Sequence, residues 1–206
     1  MFRNRRDAGR QLARLLLPYA NRSDVLVLAL PRGGVPVAAE VAAALAAPFD
    51  VFLVRKLGVP FHPELAMGAV AEGGVRVLNR QVIDSLQIPE SDVERVSAGE
   101  RLELDRRARA FRGTRELPRV EGNIAILIDD GLATGSTMEA AVQAVRQLLP
   151  SQIVVAVPVA APETVDRMKQ IADDVVCVAT PDPFQAVGLW YDDFAQMTDE
   201  EVLAML

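Results

Sequence analysis

Asp129 and Asp130 stand side by side after an apolar run, Ile124–Ile128, and are followed by Gly131, Leu132, Ala133, Thr134, Gly135, Ser136 and Thr137. Adjacent carboxylates and a stretch of small and hydroxyl residues bring two chemistries to one place. The amide N–H groups of Ala133 to Thr137 can turn inward as an anion cradle. The hydroxyls of Thr134, Ser136 and Thr137 and the dipole of a following helix would reinforce it. Such a cradle suits a phosphate. Carboxylates repel a phosphate but suit the vicinal hydroxyls of a sugar attached to it, and a ribose 5-phosphate satisfies both halves. The segment lacks the Gly-Lys-Ser/Thr of a P-loop and the Gly-x-Gly-x-x-Gly of a dinucleotide loop. The alternative is a strand-to-helix turn with an aspartate cap and permissive glycines.

The elements that must hold this segment follow a recurring pattern. Short continuous apolar runs at Val25–Leu30, Val51–Val54, Ile124–Ile128, Ile153–Val157 and Val175–Val178 read as strands covered on both faces. Helical spacing lies between them, at Val35–Ala46, Thr137–Leu149 and Pro162–Ile171, the last with proline in its first turn. Alternating strands and helices predict an α/β fold with a parallel sheet flanked by helices, and ligands bind outside the carboxyl ends of such strands. Two stretches depart from the alternation. Residues 57–79 are rich in glycine and proline, with a hairpin signal at Glu72-Gly73-Gly74, and are long enough for a mobile lid. Within Pro89–Gly113 a charged helix is expected, with Glu103–Arg107 and Asp105–Arg109 pairs on a solvated face.

Composition excludes several classes. The chain has 206 residues, half of them hydrophobic, which suits a single domain spanning 1–206. A formal net charge of −6 argues against a broad nucleic-acid-binding face. The lone Cys177 has no partner for an intrachain disulfide, there is no zinc-ligand spacing, and His62 is the only histidine. Arg10 and Arg14 interrupt what would have to be a leader's apolar stretch, and no run reaches the roughly 20 apolar residues of a membrane helix. A cytoplasmic protein is expected. Residues 1–22 hold six Arg against one Asp. They read as an amphipathic first helix with a solvated arginine face, the alternative being docking onto an acidic partner or a second subunit.

The apolar strand, the Asp129-Asp130 pair and the Ala133-Thr134-Gly135-Ser136-Thr137 loop resemble the phosphoribosyl diphosphate (PRPP) motif of type I phosphoribosyltransferases. The chain is most similar to bacterial members whose base is unassigned. The resemblance implies further roles. Pro31-Arg32-Gly33-Gly34, which otherwise reads as a glycine-rich turn, resembles the loop that binds pyrophosphate, through Arg32 and the amides of Gly33 and Gly34. Arg55 and Lys56 would meet the diphosphate from the next strand end, the alternative being a solvated strand end. Lys56 and Lys169 are the only lysines among 22 basic residues, so a compact ammonium at 56 stands out. The segment after Lys56, with His62 and Glu64, resembles the flexible catalytic loop that excludes water from the reacting centre; a loop histidine alone assigns no proton transfer.

After a helical insert at about 80–115, residues 180–206 resemble the base-binding hood, with Val187-Gly188 followed by Trp190 and Tyr191; packing of the last elements onto the core explains them equally. Two departures stand out. Pro158-Val159-Ala160-Ala161 replaces the lysine of the 6-oxopurine enzymes, and Ala133 replaces the acid of their phosphate loop. The resemblance thus implies a Mg²⁺-dependent phosphoribosyltransferase, a homodimer, acting on PRPP and a small nitrogenous base. Asp129, Asp130 and Lys56 would be catalytic, and the metal would be held mainly through PRPP rather than by protein ligands. The alternatives are a non-catalytic PRPP or nucleotide sensor of the same fold and an unrelated phosphosugar-binding module.

Overall fold

The computed structural model describes residues 1–206, the side chains of residues 63 and 64 aside. In chain order the elements are α1 (Arg5–Leu15), β1 (Val25–Ala29), α2 (Gly34–Leu45), β2 (Phe49–Val51), β3 (Val54–Val59), β4 (His62–Ala71) and β5 (Arg76–Leu78). They continue with α3 (Arg80–Ser85), α4 (Glu90–Arg112), β6 (Ile124–Ile128), α5 (Ser136–Gln147), β7 (Gln152–Val159), α6 (Pro162–Met168), β8 (Asp174–Ala179) and α7 (Asp199–Leu203). Five strands form one sheet in the order β2-β1-β6-β7-β8, every neighbouring pair parallel. The expected α/β architecture is the one observed.

The continuous apolar runs have a direct cause. Every residue of β1 and β6 is buried. Val25, Val27, Ala29, Ile124, Ile126 and Ile128 enter the core beneath α1 and α2, whereas Leu26, Leu28, Ala125 and Leu127 enter the opposite one beneath α5. A strand whose successive side chains face two covered layers has no polar position to alternate with. This double cover presents the carboxyl ends of β1 and β6 as one rigid edge.

The run at Val51–Val54 is not one strand. Parallel pairing with β1 ends at Val51, and the chain then leaves for a second sheet, β3-β4-β5, which is antiparallel. Arg55 and Lys56 therefore lie within β3, not at the end of a core strand. The segment read as a lid is mostly this ribbon. Leu57, Val59, Met67 and Val70 bury one of its faces against Ile83 and Val93 of α3 and α4, which gives it a small core of its own. The hairpin signal at Glu72-Gly73-Gly74 is met: Ala71 N–H donates to Val75 O at 2.9 Å, and Gly73 and Gly74 have φ of 73° and 75°.

The charged helix α4 carries the Glu103–Arg107 pair at 3.0 Å, but among the described residues Asp105 makes no ion pair. Nor is its charged face wholly solvated. Arg112, in its last turn, is buried and donates to Asp50 at 3.0 Å and to Glu72, both buried as well. Glu72 also accepts from Leu53 N–H at 2.9 Å. The root of the ribbon, the end of α4 and the edge strand β2 meet in this buried network. Among the described residues no helix is long and apolar enough to cross a membrane.

Candidate functional site

β6 ends at Ile128, so Asp129 and Asp130 emerge together at the carboxyl edge. Asp130 N–H donates to Asp129 Oδ1 at 2.8 Å, which leaves Asp129 Oδ2 with no partner among the described residues. Burial, and then the neighbouring Asp130 charge, push the Asp129 carboxyl well above the usual carboxylate range. Asp130 is also raised by burial, opposed by Arg5.

The next loop is shaped from outside. Thr164 Oγ1 donates to Ala133 O at 2.6 Å, and Arg167 Nη2 donates to Thr134 O at 2.6 Å, so α6 takes up the carbonyl groups. The amide N–H groups of Ala133, Thr134, Gly135, Ser136 and Thr137 have no acceptor among the described residues, and they end at the N-terminus of α5. Gly135 has φ of 69°, and a Cβ there would lie 2.5 Å from Thr164 Cγ2. Thr134 and Ser136 hydroxyls are 3.3 Å apart. Free amides, two hydroxyls and a helix N-terminus are what an anion cradle requires.

The turn Pro31-Arg32-Gly33-Gly34 packs onto the acid pair. A Cβ at Gly33 would lie 2.0 Å from Asp130 Oδ2, and one at Gly34 would lie 2.5 Å from Ile128 O and 3.0 Å from Asp129 Cα. Gly34 abuts the main chain at the end of β6, whereas Gly33 abuts the Asp130 carboxyl group. Arg32 is exposed, and its guanidinium lies on the C-terminal segment. Nη1 donates to Met197 O at 2.8 Å, and Nε is 3.7 Å from Asp199 Oδ1.

The two cations expected beside one another diverge. Arg55 Nε donates to Glu100 Oε2 of α4 at 2.6 Å, so its charge is already balanced. Lys56, with no ion pair among the described residues, faces a cleft of about 560 Å³ shared with Ser136 of the cradle, Glu139, Gln143, Asn79 and Arg80. β-strand alternation separates them: neighbours on β3 point to opposite faces. His62 lies at the ribbon tip in a groove with Phe61, Leu86 and Ile88, apart from these groups. The Glu64 side chain lies outside the described residues.

The hood is tied to the site by packing. Val187 sits so close to Gly131 that a Cβ there would lie 2.5 Å from Val187 Cγ1. Trp190 is half-buried. Tyr191 is buried: its hydroxyl donates to Asp130 O at 2.6 Å, and its ring packs between Phe2 and Phe194. Of the two aromatics expected to face a base, Tyr191 instead supports the acid pair from behind. Its one donor is already used and its ring lies between two others, so it does not present a face to a base.

One site residue went unread in the sequence. Arg5 Nε donates to Asp130 Oδ2 at 2.7 Å, so the arginine face of α1 is not wholly solvated. A signal was present: Arg5 shares the stripe of Ala8, Gly9 and Leu12, which are buried, and a charge on the apolar face of an amphipathic helix calls for a partner.

Residues 64–193 match the model of the phosphoribosyl transferase domain family. A Mycobacterium tuberculosis protein bearing the name "Putative phosphoribosyl transferase Rv0571c" is 49% identical over 206 residues, which is 100% of this chain and 46% of that protein. The chain thus spans about half the length of the curated relatives it matches. The crystal structure of TT1426 from Thermus thermophilus is 47% identical, with a TM-score of 0.90 over 99% of this chain and 96% of that one. A hypoxanthine-guanine phosphoribosyltransferase from Bacillus anthracis shares the fold at 9% identity, with a TM-score of 0.51 over 87% of this chain and 80% of that one. The chain belongs to the phosphoribosyl transferase domain family.

Proposed function

We propose that this chain transfers the 5-phosphoribosyl group of PRPP to a nitrogen of a small nitrogenous base, with Mg²⁺, and releases pyrophosphate. One observation carries the reading. Asp129 Oδ2 and Asp130 Oδ1 have no partner among the described residues, and the same loop continues into five unpartnered amides. Two acceptors for vicinal hydroxyls and a cradle for a 5-phosphate are the two ends of one phosphorylated ribose.

The chain's residues then act by placement and charge. The cradle holds the 5-phosphate, and the acid pair holds the 2- and 3-hydroxyls and favours positive charge developing on the ring. The Gly33 amide, Lys56, and Arg32 once it leaves Met197 O receive the leaving diphosphate, whereas the Gly34 N–H already donates to Leu30 O at 3.1 Å. The base nitrogen attacks the anomeric carbon with inversion as the bond to the diphosphate oxygen breaks, and the proton on that nitrogen passes to the released diphosphate or to water. Mg²⁺ would be held mainly through PRPP rather than by this chain, and would supply neutralisation of the diphosphate.

Calorimetry with PRPP and Mg²⁺ tests the reading. The double variant Asp129→Asn, Asp130→Asn is expected to bind PRPP about 100-fold more weakly while keeping its circular dichroism. Binding at wild-type strength contradicts the assignment. A second reading, a PRPP sensor without transfer, is favoured by the balanced charge of Arg55 and by the burial of Tyr191. Pyrophosphate release separates the two.

A further inference from the structure

Arg5 is joined to Asp130 by two routes. Directly, Nε donates to Asp130 Oδ2 at 2.7 Å, with only 12% of the Arg5 side chain and 14% of the Asp130 side chain exposed. Indirectly, the guanidinium lies 3.9 Å over the centre of the Phe194 ring, and Phe194 stacks on Tyr191 at 4.9 Å. The Tyr191 hydroxyl then donates to Asp130 O at 2.6 Å, which closes the ring of contacts. Arg5 Nη1 also donates to Ala195 O at 2.8 Å. The main chain of Phe2 runs along the same hood segment, with Phe2 N–H donating to Trp190 O at 2.8 Å and Asp192 N–H to Phe2 O at 2.9 Å.

We propose that Arg5 is a positioning residue for the sugar-binding acid pair. It holds Oδ2 of Asp130, leaves Oδ1 for a ligand hydroxyl, and makes the ionised, oriented state of Asp130 depend on the hood being seated. The proposal rests on the phosphoribosyl reading of the acid pair. Two adjacent, largely buried carboxylates do not both ionise readily without a compensating cation. The groups that face Asp130 are Asp129 from its own loop, Arg5 from α1 and the Tyr191 hydroxyl from the hood. Of these only Arg5 is a cation. Its planar fork also serves the carboxylate and the Ala195 carbonyl together while stacking on a ring, which an ammonium does not do.

The test has two readouts. In ligand-free protein, carbon-13 NMR of the aspartate carboxyls, with Asp130→Asn to assign the signal, is expected to put the Asp130 midpoint at higher pH in Arg5→Gln than in wild type. In calorimetry with PRPP and Mg²⁺, Arg5→Gln is expected to bind about tenfold more weakly at pH 7 and to recover as the pH rises, because alkali ionises Asp130 again. Arg5→Lys keeps the charge without the fork and is expected to shift both readouts by less; it carries the test alone if Arg5→Gln does not fold. Unchanged midpoint and affinity overturn the proposal, as does a loss of affinity that is the same at every pH, the mark of a merely structural role. Absence of PRPP binding by wild type at every pH overturns the phosphoribosyl reading instead, and the ligand-free titration still decides whether Arg5 controls Asp130.

Discussion

Gly33 lies so close to Asp130 that a methyl group on its Cα would stand 2.0 Å from Oδ2. That oxygen is also the one Arg5 holds, so moving it away from residue 33 would disturb the ion pair. The turn after β1 and the acids after β6 are parts of one packed edge, and residue 33 is glycine for lack of space.

Gly33→Ala is therefore expected to displace Asp130 or the turn and to weaken PRPP binding about 100-fold in calorimetry. The φ of −61° at this position suits alanine, so backbone strain is not the cause. Affinity within twofold of wild type would show that the acid pair does not depend on this contact.

Asp129→Asn isolates the cost of charge in the acid pair. Burial and the Asp130 charge raise the folded-state pKa of Asp129 above its unfolded value. Below the ordinary carboxylate range both states are protonated and the site costs nothing. As pH rises, the unfolded chain ionises first, so stability is lost between the ordinary range and the higher folded value. The asparagine variant escapes this loss and keeps an acceptor for Asp130 N–H. It is expected to be more stable at pH 7 by roughly 0.5–2 kcal/mol in urea denaturation, with the gain vanishing in acid. A gain independent of pH, or a loss at pH 7, contradicts the assignment.

Arg112→Met removes the cation that Asp50 and Glu72 share. Two buried carboxylates left without it are expected to cost about 3–5 kcal/mol in urea denaturation. A cost below about 1 kcal/mol would mean that water reaches the root of the ribbon.

What could be read in the sequence was local. Ile124–Ile128 is buried on both faces, and its expected and observed bounds coincide because every residue of the run enters a covered layer and the charged Asp129 ends it. The acid pair and the cradle were legible because they are contiguous. Of the ribbon only the turn between β4 and β5 was legible, since β4 contains Gly68 and its pairing with β3 shifts register at Gly58. Arg5 meets Asp130 from 125 residues away, and Arg112 meets Asp50 from 62 residues away. Local spacing carries no trace of such pairs, apart from the position of Arg5 on the apolar stripe.

The most direct measurement is pyrophosphate release from PRPP and Mg²⁺ with each common nucleobase in turn. Wild type is expected to release pyrophosphate with at least one base, in step with nucleotide formed, and the Asp129→Asn, Asp130→Asn double variant is expected to release none. Tight PRPP binding without pyrophosphate from any base would contradict a transferase and leave a sensor.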